Sequence, residues 1–103
     1  MKKLALFLNL LFILSLNTFS QQDFWFNTNF NFGSEITGLV TSINNELFAS
    51  TESNGIFHSS NSGLGWIAIN NGLSSNDISA LSISPETQTL IAYSWGGNYF
   101  RST

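Results

Sequence analysis

At 103 residues the chain is long enough for one small domain, and it carries no cysteine, which excludes disulfide staples and a lipid-modified cysteine anchor. Its three cations face six carboxylates, and two of the cations, Lys2 and Lys3, sit at the extreme N-terminus. Beyond them Arg101 stands alone, which excludes the clustered basic side chains that nucleic acid or an anionic lipid surface requires.

The first element is a leader. Lys2 and Lys3 are followed by an apolar run from Leu4 to Leu16, broken only by Asn9 and Ser15, and then by the small residues Thr18 and Ser20. A positive start, an apolar middle and small residues before a cut predict a secretory signal peptide over residues 1–20. The run is shorter than the roughly 20 apolar residues of a membrane span, so no span is expected after cleavage. The expected destination is secreted or cell-surface, with the periplasm open. The remaining chain has a net charge of −5, Arg101 against six carboxylates.

The rest of the chain is rich in Asn, Ser, Gly and Phe and has one proline, a composition suited to short strands and tight turns. It repeats. Ile36-Thr37-Gly38-Leu39 returns as Ile78-Ser79-Ala80-Leu81, an offset of 42 residues. Leu47-Phe48-Ala49 returns as Leu90-Ile91-Ala92, and Ile56-Phe57-His58-Ser59 as Tyr99-Phe100-Arg101-Ser102, both at an offset of 43. Trp25 and Trp66 stand at matching distances before these repeats, each with an asparagine four residues later, Asn29 and Asn70.

Taken in order, residues 25–34 are expected as a closing strand, although Phe24, Phe26, Phe30 and Phe32 also read as a plain alternating β-run. Strands are then expected near 37–43, 46–51, 55–60 and 65–69, with Asn44-Asn45 and Asn54-Gly55 as turns. The next repeat offers a strand ended by Pro85 and strands near 89–94 and 98–102. Four short antiparallel strands in about 42 residues is the pattern of a β-propeller blade. The expected fold is therefore all-β, about two blades of an incomplete propeller: residues 36–70 one blade and 78–103 a truncated second, within a domain over 21–103.

Residues 59–66 read Ser-Ser-Asn-Ser-Gly-Leu-Gly-Trp. This resembles the Asp-box, or BNR repeat, Ser-x-Asp-x-Gly-x-Thr-Trp, placed between the third and fourth strands as in that family. Ser59, Gly63 and Trp66 match, whereas Asn61 replaces the aspartate and Gly65 the threonine. The resemblance implies a structural role. Asn61 accepts hydrogen bonds from the turn, Gly63 supplies positive φ, and Trp66 is buried between neighbouring blades. Loss of the carboxylate is expected to weaken the turn modestly.

Asp-box propellers include sialidases, xyloglucan-directed glycoside hydrolases, sortilin-type receptors and photosystem II assembly-factor-like proteins. A sialidase would imply an arginine cluster, and only Arg101 is present, so it is read as a surface residue. A glycosidase needs two carboxylates on one cleft, whereas Glu46, Glu52, Asp77 and Glu86 fall on separate turns and links. His58 is the only histidine, so no metal site, cofactor site or His-based triad is expected. Trp95, beside Gly96-Gly97, is either a stacking platform for a sugar or a plug between blades.

No catalytic residue is assigned. The expected function is that of a scaffold or binding module for a glycan or protein, the alternative being a remnant of a secreted glycoside hydrolase. The expected partners are further blades, or the open strand edge near 98–102 is met by the strand near 24–30, within the chain or from a second copy.

Overall fold

Short β-branched and aromatic runs, broken by Asn, Gly and Ser, give seven strands and no helix among residues 23–103, which the computed structural model describes. The leader assigned to residues 1–20 lies outside the described residues. In chain order the strands are β1 (Ile36–Thr41), β2 (Leu47–Thr51), β3 (Ile56–Ser59), β4 (Ile67–Ala68), β5 (Ile78–Ile83), β6 (Leu90–Ser94) and β7 (Tyr99–Arg101). Strands β1 to β4 form one antiparallel sheet in sequence order, and β5 to β7 form a second. The fold is all-β, with two blade-like meanders.

The repeat seen in the side chains is also a repeat of backbone geometry. β1 is bulged between Ile36 and Gly38, and β5 is bulged between Ile78 and Ala80. Thr51 N–H donates to Gly55 carbonyl and Ser94 N–H to Asn98 carbonyl, both at 2.9 Å. Glu52 N–H reaches back to Glu35 at 3.0 Å, as Trp95 N–H reaches back to Asp77 at 3.4 Å. The change of offset from 42 to 43 falls in the first hairpin turn. Ser42 N–H bonds Glu46 carbonyl in one sheet, and Ser84 N–H bonds Thr89 carbonyl in the other, one residue longer. Asn45 and Gln88 take the left-handed conformation in these turns, at φ of 63° and 58°. The longer turn is also used, since the Gln88 side chain accepts from Ile43 N–H at 2.7 Å and ties the two turns together.

Alternation along β3 sends Ile56 and Phe57 to opposite faces. Ile56 packs with Ile78 and Ala92 in the seam between the sheets, and Leu73, Leu81 and Phe100 close around them. At the inner end, Thr37 hydroxyl donates across the seam to Ile78 carbonyl at 2.6 Å. Phe57 faces the other way, toward Phe30 and Phe32, whose rings lie 6.1 and 5.1 Å from its own.

Residues 25–34, expected as a closing strand, form no strand. Phe30 and Phe32 fasten this segment to the outer face of the first sheet, away from the free edge of β7, so it has no strand edge to pair with. Its backbone is fixed instead by side chains. Asn54 amide donates to Phe32 carbonyl at 2.8 Å, and Ser53 N–H donates to Ser34 hydroxyl at 3.0 Å. The fourth strand is shorter than the expected 65–69, because only Ile67 and Ala68 are paired as strand.

The β2–β3 turn needs a glycine. Gly55 has φ of 78° and lies directly against the Asn70 side chain, which leaves no room for a Cβ. Asn70 closes the turn by accepting from Ile56 N–H at 2.8 Å and donating to Asn54 carbonyl at 3.1 Å. Gly55→Ala combines positive-φ strain with a clash and should destabilise the chain by about 2 kcal/mol or more, and Asn70→Ala by about 1–3 kcal/mol for the orphaned Ile56 N–H. Urea unfolding measures both, and stabilities within about 0.5 kcal/mol of the parent would contradict this account of the turn.

Candidate functional site

Three places bear on function: the β3–β4 turn, the β6–β7 turn and a cleft at the outer end of the seam. The β3–β4 turn follows β3 directly, so its first residue, Ser59, is buried in the sheet while Asn61 is exposed. Ser59 hydroxyl accepts from Gly63 N–H at 2.9 Å and donates to Asn61 Oδ1 at 2.9 Å. The same Oδ1 accepts from Gly65 N–H at 2.8 Å. The neutral amide thus holds the turn through its oxygen, which accepts from both Ser59 hydroxyl and Gly65 N–H. Gly63 has φ of 85°, and a Cβ there would meet Leu47 and Trp66 only at ordinary contact distance, so conformation and not space requires the glycine.

Trp66 donates its indole N–H to Gly63 carbonyl at 3.1 Å, which fixes the ring over the turn. Burial between neighbouring blades is the expectation for this side chain. It is half-buried instead, with its ring 5.1 Å from Phe32 and 6.4 Å from Phe30. The face it covers has no second sheet on it among the described residues, and the aromatic segment preceding β1 takes that place. Each such aromatic pair contributes about 0.5–1.5 kcal/mol beyond its buried area.

The β6–β7 turn presents Trp95. The side chain is 72% exposed and plugs no gap between the two sheets of the described residues. Its backbone is nevertheless fixed: Trp95 N–H is bonded to Asp77 carbonyl, Gly97 N–H to Ser94 carbonyl at 3.0 Å, and Ser94 N–H to Asn98 carbonyl. A Cβ on Gly97 would meet nothing within 4 Å, so the turn is open at that residue.

His58, read as part of a polar strand face, is half-buried and stacked on Phe48, with ring centroids 4.8 Å apart. Its Nε2 lies 3.5 Å from Glu46 Oε1, near enough to feel the charge but not aligned as a hydrogen bond. Arg101 is exposed, as are Glu35, Glu52 and Glu86 on their turns. Among the described residues no three His, Asp or Glu side chains come together as a metal site.

The cleft, of about 360 Å³, lies beside β7 and is lined by Ile56, Leu73, Leu90, Ala92 and Phe100, with Arg101 also in the lining and no Asp or Glu side chain. Sequence reasoning missed this cleft and missed Ser34 and Phe32 as anchors of the preceding segment. Asn70 was noticed only as an asparagine four residues after a tryptophan. The chain matches no family model, no curated protein and no solved structure.

The turn geometry makes a direct prediction. Asn61→Asp keeps both acceptor bonds and makes them charge-assisted, so it should stabilise the chain by about 0.5–1 kcal/mol, whereas Asn61→Ala should cost about 1–2 kcal/mol. Chemical denaturation of the pair measures this, and a destabilised aspartate variant would contradict the assignment of Oδ1 as the acceptor.

Proposed function

We propose that the chain is a non-catalytic part of an exported Asp-box β-propeller and serves as a scaffold that presents a binding surface for a glycan or protein. The observation that carries this reading is Trp95, an exposed indole on a turn whose backbone is bonded at three points. A large aromatic is seldom left in water, and one held rigidly loses little entropy when a ligand stacks on it. The turn motif at Ser59, Asn61, Gly63 and Trp66 supports the family assignment by its hydrogen bonds, in which the side chains of Ser59, Asn61 and Trp66 and the backbone of Gly63 hold the turn.

The glycoside-hydrolase alternative would require two carboxylates facing a common cleft. The cleft beside β7 has none in its lining, and Glu35, Glu52 and Glu86 are exposed on separate turns. These placements favour the binding module.

The test is an oligosaccharide array probed with the purified chain and with Trp95→Ala. A glycan bound through the indole should lose about tenfold or more in affinity, equivalent to roughly 1.4 kcal/mol, while the unfolding midpoint stays unchanged. Equal binding by the two proteins would overturn the assignment of Trp95.

A further inference from the structure

Two asparagines of the chain are followed by glycine, Asn54 and Asn71. This pair of residues carries a latent reaction. The glycine nitrogen attacks the side-chain carbonyl carbon of the asparagine, and no Cβ on the glycine hinders the approach. Two conditions decide whether it happens in a folded chain. The glycine N–H must not be committed to an acceptor, and the asparagine side chain must be free to swing over it.

At Asn54-Gly55 both groups are engaged. Gly55 N–H donates to Asn76 carbonyl at 2.9 Å. Asn54 Nδ2 donates to Phe32 carbonyl at 2.8 Å, which holds the side chain on the segment before β1. Asn54 N–H is held in turn by Thr51 hydroxyl at 3.0 Å. The Asn70 side chain packs directly against Gly55, so the peptide between Asn54 and Gly55 has no room to turn.

At Asn71-Gly72 the same groups are free. Residues 70–73 form a tight turn closed by Leu73 N–H on Asn70 carbonyl at 3.0 Å, with Gly72 at φ of 92°. Such a turn bonds the N–H of its fourth residue and leaves the central peptide, here Asn71–Gly72, unbonded. Among the described residues Gly72 N–H has no acceptor. The side-chain bonds of this link belong to the neighbouring Asn70, on Ile56 and Asn54. The free N–H is a property of the link itself. Asn31 stands six residues after Trp25, as Gly72 stands six after Trp66. Its N–H likewise has no acceptor among the described residues, although the sheet that follows it has all four strands.

We propose that Asn71 is a site of spontaneous deamidation, selected over Asn54 by the hydrogen bonds of the fold. Gly72 nitrogen bonds to Asn71 Cγ and the Cγ–Nδ2 bond breaks. The amide group leaves as ammonia, taking the proton that Gly72 nitrogen gives up. Water then opens the cyclic imide. Attack at Cγ restores the ordinary peptide and leaves aspartate. Attack at the main-chain carbonyl leaves isoaspartate, in which the chain runs through Cβ and Cγ and is longer by one carbon. Either product adds a negative charge.

The longer product matters for the seam. Leu73, two residues on, is carried by this turn against Ile56, Ile78 and Ala92. An extra main-chain carbon displaces Leu73 N–H from Asn70 carbonyl and draws Leu73 out of its place. The aspartate product keeps the length of the link and keeps the seam.

The test holds the purified chain at mildly alkaline pH, where the amide nitrogen is a better nucleophile, and follows both sites by peptide mass spectrometry. In the folded chain Asn71 should convert at least tenfold faster than Asn54, whose side chain is held out of attack geometry. In concentrated urea the two should convert at similar rates. Equal rates in the folded chain overturn the proposal. So does a preference for Asn71 that persists in urea, since sequence and not fold would then set it. Asn71→Gln should leave the chain folded and suppress the faster conversion. The isoaspartyl form, separated by anion exchange, should unfold at lower urea than Asn71→Asp, and equal midpoints would overturn the part assigned to the length of the link.

Discussion

The seam between the two sheets is the interaction on which the rest of the molecule depends. Ile56, Ile78 and Ala92 are buried there, and Ala49 and Leu90 are the other buried apolar residues among those described. At about 25 cal/mol per Å² of buried apolar surface, so few side chains leave a narrow margin over the entropy of ordering the chain. With no disulfide to help, position along the seam has to be set by other means. The linking segments set it. Leu73 is carried into the seam by the link between β4 and β5, and Phe32 is carried onto the far face by the segment before β1.

Hydroxyl groups share the interior with the apolar side chains. Thr51, Ser50, Ser59 and Ser94 are fully buried, and Thr51 and Ser59 spend their hydroxyls on turn backbone. Thr37 uses its hydroxyl on both Ser50 and the opposite sheet. Each net hydrogen bond contributes only about 1 kcal/mol, but each unmet buried group costs more, so these bonds select one register more than they add stability. That is a sensible division of labour in a chain with few charges. Turn closure and sheet spacing are fixed by neutral groups that salt does not screen.

Much of this was legible in the sequence because it is periodic. The matched tetrapeptides at 36–39 and 78–81 located equivalent strands, and the β3–β4 turn was recognisable from Ser59, Asn61, Gly63 and Trp66. What could not be read were features decided by neighbours distant in sequence. An alternating aromatic run such as 24–32 has strand character, but a strand exists only where an edge accepts it, and no edge is within its reach. The exposure of Trp95 was equally hidden, because indole burial depends on whether another sheet lies alongside. Asn70 stands out in the sequence only by its distance from Trp66, and its grip on Ile56 and Asn54 becomes apparent only when the β2–β3 turn and the end of β4 are adjacent.

The differences between the repeats show where the architecture tolerates change. An extra residue is accommodated in the turn between β5 and β6, where Gln88 takes positive φ and its side chain is recruited to cap Ile43. At the β6–β7 turn the polar pair Glu52-Ser53 is replaced by Trp95-Gly96, while the backbone bonds at the turn base are kept. No comparable substitution occurs at Ala49 and Ala92, where both copies hold the same small residue within the sheet. A larger side chain at Ala92 would part the sheets, whereas turns can change without altering the spacing. Recognition elements in this fold are therefore expected on the hairpin turns, and Trp95 is the aromatic side chain most exposed on them beyond β1, since Tyr99 lies within β7.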